Sequence, residues 1–251
     1  MSEFGLSELA NGWTVGRFAA LDGIGRVTHL VTTRRGLDVQ LVARDRAAAA
    51  DRLARAMGLG GVAFLRQVHG EAVVEVHRAG AAGSGDALIT GESSLGLMGA
   101  AADCPLILLA DRQGRAVGMA HASWRGTVRR IAAKTAGRLA ERYGVPAAEL
   151  VACICPSAGP RRYEVGADVV EAALEGIGPQ ARAFFASRDG QTFFDLWSAN
   201  RAQLVEAGLP PESIHVAGIC TIERVDLFPS YRAEGDSAGR FAAVIARSQQ
   251  G

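Results

Sequence analysis

The stretch VGMAHASWRGTV, residues 117–128, decides how this chain is read. Its first five residues, Val117 to His121, form an apolar run expected of a strand, and from Val128 the spacing becomes helical. Between the two lies a short segment holding an imidazole, a hydroxyl, an indole and a guanidinium: His121, Ser123, Trp124 and Arg125. The segment places reactive groups at the end of a strand and at the entry to a helix.

Outward from there, the helix is predicted over Val128 to Tyr143. Val128, Ile131, Thr135 and Leu139 form its apolar stripe, and Gly144 stands where a C-terminal cap belongs. Upstream, Leu106 to Leu109 is apolar without alternation, which predicts burial on both faces. Further strands are expected at Val62–Leu65, Val73–Val76, Val151–Cys155, Ile214–Ile219 and Phe241–Ile245. Asp45 to Met57 reads as a helix with Ala49, Leu53 and Met57 on one face. Asp195 is placed to cap another, carrying Leu196, Ala199, Gln203 and Leu204 and ending at Gly208. The glycine- and alanine-rich stretch Ala79 to Gly85 reads as a loop. Neither linker nor internal repeat divides the chain, so one α+β domain over residues 1–251 is expected.

Composition narrows the function. The formal net charge is +1, so no global field draws the chain to nucleic acid or to an anionic membrane. Lys134 is the only lysine and sits among Arg130 and Arg138 on a helix expected to be solvated there, which disfavours Schiff-base or P-loop chemistry. The start of the chain lacks the features of a signal peptide, and the longest apolar run, Pro105 to Ala110, is too short to span a bilayer. Four cysteines in 251 residues read as free thiols, and a cytoplasmic location is expected.

Three segments place reactive side chains at the edges of apolar strands: RQVHG at 66–70, ADCP at 102–105 and AHASWRG at 120–126. A thiol and two imidazoles are good zinc ligands, and three protein ligands leave a position open for water or substrate. Spacing alone also allows a plainer reading, a buried Cys104 and two hydrogen-bonded histidines. Asp103 fits either a turn, with its carboxylate on backbone amides, or support for a histidine ligand. Glu71 follows His69 in the His-x-Glu pattern of zinc deaminases, but their Pro-Cys-x-x-Cys partner is absent. Cys153, Cys155 and Cys220 are therefore read as core, and His29, His77 and His215 as ordinary surface or strand histidines.

These segments, with DALIT at 86–90, YEVG at 163–166, DLWSAN at 195–200, SYR at 230–232 and Gly239-Arg240, run in one order over roughly residues 60 to 245. In that order they resemble the bacterial laccase-domain family. It is also called the multicopper polyphenol oxidase or peptidoglycan-editing-factor family, and its members have been described as purine nucleoside phosphorylases. The resemblance implies a compact α+β domain with mixed sheets layered against helices. It also implies a metal, zinc or else copper, on His69, Cys104 and His121, with Cys104, His121 and Arg125 as catalytic residues. The implied activity is phosphorolysis of adenosine- or inosine-type nucleosides, with adenosine deamination beside it. Arg125 and Gly126, at the start of a helix, are expected to hold phosphate, and Arg232 is a second anion contact. For Arg125 a stack on Trp124 is an equal reading. Ser123 and Ala233 depart from the family pattern, which has glycine and arginine there, and so touch the substrate-facing periphery. The other readings are a cysteine hydrolase with Cys104 as nucleophile, copper-dependent phenol oxidation, and a binding protein without turnover.

Overall fold

Long strands with apolar residues on both faces must be covered on both sides, which calls for sheets packed on each other and helices outside them. The computed structural model describes residues 4–248 and has that architecture. One mixed sheet holds β1 (Phe4–Glu8), β2 (Thr14–Phe18), β3 (Val27–Thr32), β4 (Gly61–Arg66), β6 (Gly80–Ser84), β8 (Leu95–Ala101) and β16 (Phe241–Arg247). Their order is β1-β2-β3-β16-β8-β4-β6, with β4 parallel to β6 and β8.

The second sheet holds β5 (Val73–Glu75), β7 (Ala87–Thr90), β9 (Leu106–Asp111), β10 (Val117–His121), β11 (Leu150–Ile154) and β15 (Ile214–Val216). Its order is β15-β11-β9-β10-β7-β5, antiparallel except at its two edge pairs. A small third sheet joins β12 (Glu164–Val165), β13 (Phe185–Arg188) and β14 (Gln191–Phe194).

The two large sheets meet face to face. Leu97, Phe241, Ala243 and Ile245 of the first share a core with Leu106, Leu108, Val117 and Met119 of the second. On the far side of the second sheet, Ile107, Leu109 and Ala120 pack under α5 (Ile131–Tyr143) and α7 (Leu196–Glu206). On the far side of the first, Leu30, Met98 and Val244 pack under α2 (Val39–Arg44) and α3 (Arg46–Met57). The unbroken apolar run of β9 thus serves two cores with alternate side chains, as expected. The sheets approach so closely at Gly99 that an added Cβ would lie 2.5 Å from the Met119 sulfur. Glycine there makes the contact possible.

The helix expected from Val128 is interrupted. A short α4 (Trp124–Val128) ends at Arg129, Arg130 adopts a left-handed φ of 63°, and α5 starts at Ile131. The reason lies on α7: buried Gln203 donates to the Thr127 carbonyl and Asn200 to the Thr127 hydroxyl, at 2.8 and 3.0 Å. The Ala79–Gly85 stretch also departs from expectation, because Gly80–Ser84 pairs as the edge strand β6 beside β4. Small, half-exposed residues carry no periodic signal, and the neighbouring strand imposes the pairing. The strand expected to reach Ile219 stops at Val216, and Gly218 turns at φ 67°. The Asp195 cap forms as expected, accepting from the Ser198 amide at 2.9 Å, and Asp45 caps α3 in the same way through the Ala48 amide at 2.9 Å.

Candidate active site

Asp86, just before β7, organises the site. Its carboxylate accepts the amides of Val68, His69 and Gly70 at 3.2, 3.0 and 2.7 Å, clasping the loop after β4. That clasp holds His69 at φ 58°, a conformation uncommon for a non-glycine residue. The same carboxylate lies 2.8 Å from His121 Nδ1 at the end of β10, and the Asp86 carbonyl accepts the His121 amide at 2.7 Å. The rings of His69 and His121 stand edge to face, 5.0 Å between centroids. Beside β4, Gln67 pairs its amide group with both the N–H and the carbonyl of Ala100, tying this loop to β8.

Burial opposes charge on all these groups; hydrogen bonding overrides it at His121 and Asp86, and burial prevails at His69. Burial alone would lower the His121 pKa, but the bond to Asp86 and the contact with Cys104 raise it to about 9. Asp86, although buried, is held below the usual carboxylate value by His121 and the clasped amides. Burial, and then the nearby His121, hold His69 below the ordinary histidine value, so its imidazole is neutral at pH 7.

Asp103 also sits at positive φ, 82°. Its carboxylate accepts from the Thr221 hydroxyl and from the Arg232 amide, both at 2.7 Å. Of the turn reading only one backbone amide is found, and it comes from the distant Arg232 rather than from a local turn; the carboxylate that supports a histidine belongs to Asp86. Cys104, next along the chain, packs partly buried against the central core.

His69, Cys104 and His121 line one cavity of about 510 Å³ between the strand ends of the two sheets. Arg125 and Arg232 line it as well, so all five site residues read from the sequence reach one space. Arg125 stacks on Trp124, 4.2 Å from the ring centroid, and Arg232 lies 4.9 Å from that of Tyr163. Burial pushes the Tyr163 phenol up to about 12, which keeps its proton in place. At the helix start expected to hold phosphate, the Gly126 N–H donates within the chain to the Ser123 hydroxyl at 3.2 Å. Ser123 is the cap of a five-residue helix.

Glu71 is outside the cavity, ion-paired with Lys134 on the surface. Cys153, Cys155 and Cys220 are buried core residues, as expected, and all four cysteines are free thiols. His29 is a strand histidine, one of the two readings given for it: it lies in β3, fully buried, and accepts the Phe18 amide. Sequence reasoning gave no role to Asp86, Gln67, Arg46, Tyr163, Tyr231 or Arg240. All except Arg46 lie in or beside the ordered motifs, which was the available signal.

The residues fit a metal by donor chemistry: two imidazoles and a thiol face one space, with Asp86 fixing His121 through Nδ1. The gathering is incomplete, since among the described residues no three His, Cys, Asp or Glu side chains are drawn together closely enough to hold an ion as they stand.

Fold and site define a layered α+β domain with a catalytic-type cleft where two sheets converge. The chain belongs to the multi-copper polyphenol oxidoreductase laccase family, whose sequence profile matches residues 32–248. A purine nucleoside phosphorylase of Deinococcus radiodurans is 37% identical over 211 residues, covering 83% of this chain and 78% of that protein. One of Bacteroides thetaiotaomicron is 37% identical over 161 residues, covering 64% of this chain and 60% of that protein. A protein named adenosine deaminase, from an unknown prokaryotic organism, is 35% identical over 64% of this chain and 62% of its own length. The crystal structure of YlmD from Geobacillus stearothermophilus superposes with a TM-score of 0.84 at 27% identity, covering 97% of this chain and 99% of that one. No helix among the described residues is long and apolar enough to cross a membrane.

Proposed function

We propose that this chain is a metal-dependent purine nucleoside phosphorylase. The observation that carries the reading is a single cavity combining imidazole and thiol donors with aromatic rings and guanidinium groups. The names of the Deinococcus and Bacteroides relatives point to the same substrate class. His69, Cys104 and His121 would hold the metal, zinc by preference, with copper compatible with the same donors. When bound, it would supply Lewis-acid polarisation of an oxygen, or a water of lowered pKa.

The chain's own residues account for the remaining needs. The rings of Trp124 and Tyr163 offer flat faces for a purine, and stacking of this kind contributes about 1–3 kcal/mol per base. Arg125 and Arg232 border those rings and bring positive charge to the same end of the cleft. In phosphorolysis a phosphate oxygen attacks C1′ of the ribose, the C1′–N9 bond breaks, and its electron pair leaves with the base. The base then takes a proton, and ribose 1-phosphate is the second product. Asp86 fixes the orientation of His121 throughout, and neutral His69 offers a donor or an acceptor nitrogen. Adenosine deamination is the companion activity, supported by the relative of that name. We place the enzyme in the cytoplasm, on the strength of its free thiols.

Purified protein incubated with adenosine or inosine, with and without phosphate, tests the reading. Phosphate-dependent release of base with ribose 1-phosphate is expected. Neither base nor inosine release under either condition would discard it.

A second reading has one observation in its favour. Asp86, His121 and Cys104 form a carboxylate–imidazole–thiol series of the kind that activates a nucleophilic cysteine. A cysteine hydrolase or amidase acting on a cell-wall precursor would use it. Iodoacetamide labelling separates the two: rapid alkylation of Cys104 in zinc-loaded protein favours the hydrolase, and protection by zinc favours the phosphorylase. Laccase chemistry passes electrons through several copper ions. Five histidines in the whole chain, two of them in the cavity, are too few for that.

A further inference from the structure

Four arginines line the cavity: Arg46, Arg125, Arg232 and Arg240. Elsewhere arginines face carboxylates, as in Arg17–Asp22, Arg34–Glu234, Arg115–Asp111 and Arg130–Glu206. None of the four cavity arginines forms an ion pair with a carboxylate among the described residues. Arg125 and Arg232 have their guanidinium faces against Trp124 and Tyr163. Arg232 also donates to the Glu164 carbonyl at 2.7 Å, and Arg240 lies 5.9 Å from the Tyr231 ring centroid. Arg46 and Arg240 stand apart as two carbonyl-anchored guanidinium groups on the cavity wall whose charges reach each other.

Arg46 opens α3 directly after its cap and donates from Nη1 to the Leu65 carbonyl at 2.5 Å. Arg240 donates from Nη1 to the Gly239 carbonyl at 2.6 Å, and its amide donates to the Val39 carbonyl at 2.8 Å. Gly239 is at φ 72°, and an added Cβ would lie 2.8 Å from the Val39 carbonyl oxygen, so glycine alone permits this entry into β16. One N–H of each guanidinium is thereby fixed, and a carbonyl brings no net charge to neutralise it. The other donors stay available. The charge of Arg240 reaches both Arg46 and His69. The one carboxylate whose charge also reaches them, Asp86, is hydrogen-bonded to three amides and to His121 rather than to either arginine. Two like charges held in a half-enclosed space repel each other unless an anion joins them. Asp236 shares the cavity wall and pairs with neither.

We propose that Arg46 and Arg240 form a phosphate-class subsite facing His69, which takes a tetrahedral dianion through paired guanidinium groups. The chemistry is shared by free orthophosphate and by the phosphate of a nucleotide. The subsite's catalytic use as the phosphate position of phosphorolysis rests on the function proposed above; anion binding itself does not.

Calorimetric titration of the full chain with inorganic phosphate at constant ionic strength tests it, in parallel with AMP and adenosine. Arg46→Gln and Arg240→Gln, each checked for an unchanged circular dichroism spectrum and melting point, should weaken phosphate about tenfold to a hundredfold. Arg46→Lys should recover part of the loss. Phosphate that binds alongside adenosine identifies the free ion. AMP that outbinds adenosine, with the advantage lost in the glutamine variants, identifies a nucleotide. In turnover, the glutamine variants should raise the KM for phosphate much more than the KM for nucleoside. Wild-type protein that neither binds phosphate in the millimolar range nor prefers AMP would overturn the subsite, and so would folded variants that bind like wild type. If phosphate binding depends on these arginines while no nucleoside is turned over, the proposed activity falls and the subsite stands.

Discussion

His121 and His29 are both buried strand residues, and the protein treats them in opposite ways. His121, at the end of β10, has a buried carboxylate 2.8 Å from one ring nitrogen and a cavity beside it. Although burial works against it, the imidazole is held up to about 9. His29, in the middle of β3, accepts the Phe18 amide at 2.8 Å, and Asp22 comes no nearer than 3.7 Å. Burial, only partly offset by Asp22 and reinforced by Arg17, pulls it down to about 4. The core histidine accepts one backbone amide, leaves its Nδ1 buried without a hydrogen-bond partner, and stays neutral. A site histidine is given a charged partner on one nitrogen and keeps the other for chemistry.

The largest effect should come from removing that partner. Asp86→Ala leaves His121 without its counter-charge and three amides without their acceptor, and should cost about 3–5 kcal/mol of stability. Zinc affinity should fall about 10- to 100-fold in the same variant. Urea unfolding and competitive metal titration measure both. A loss below about 1 kcal/mol would show that the carboxylate does not organise the loop.

The next effect belongs to His29 and is a matter of pH. Between about 4 and 6.5 the unfolded chain binds a proton at this position that the folded chain refuses. Stability therefore rises with pH across that window and is lost as the pH falls. The total is about 3 kcal/mol, from 1.36 kcal/mol per pH unit of difference. His29→Gln should flatten that part of the curve. Equal slopes for the two proteins would remove His29 as the cause, and with it half of the comparison.

The strand ends that carry the site were legible because chemistry and hydrophobic pattern coincide there. An apolar run stops at Arg66, Cys104 or His121, and the fold closes a cavity on those ends. Asp86 was harder to place, since the aspartate of DALIT looks like any residue before a strand. Its role appears only when β7 pairs with β10 and brings Ala87 opposite Ala120. Arg46 gave no sign at all. It opens an amphipathic helix, where a lone arginine ahead of alanines reads as solvated, and only packing of α3 on β4 turns it inward. The break at Arg130 was hidden for a similar reason: Asn200 and Gln203, more than seventy residues away, take over Thr127. Local pattern reports burial well, and partners supplied by distant segments poorly.

Those two amides sharpen the comparison further, because each is buried with one oxygen lacking a partner. Asn200 donates to the Thr127 hydroxyl and to the Leu196 carbonyl, fixing the short helix that begins with Trp124 and Arg125. Asn200→Ala should cost about 1–3 kcal/mol, less than Asp86→Ala because no charge is stranded. A shifted melting point with an unchanged KM for nucleoside would confine Asn200 to stability. A raised KM would show that it positions the aromatic wall.

The smallest effect is expected at Glu71, and it asks whether a carboxylate near a site histidine matters by sequence or by location. Glu71 stands two residues after His69, closer in the chain than Asp86, yet it pairs with Lys134 where both side chains are about half exposed, 47% and 48%. Water and salt screen such a pair, so its contribution is at most about 1 kcal/mol. Glu71→Gln should therefore leave the melting point nearly unchanged and turnover within about twofold of wild type. A tenfold fall in kcat with normal stability would mean that Glu71 reaches the reacting groups in the working enzyme. The rule drawn from His121 and His29, that only a buried carboxylate in direct contact converts a histidine, would then fail at the carboxylate nearest a site histidine in the chain.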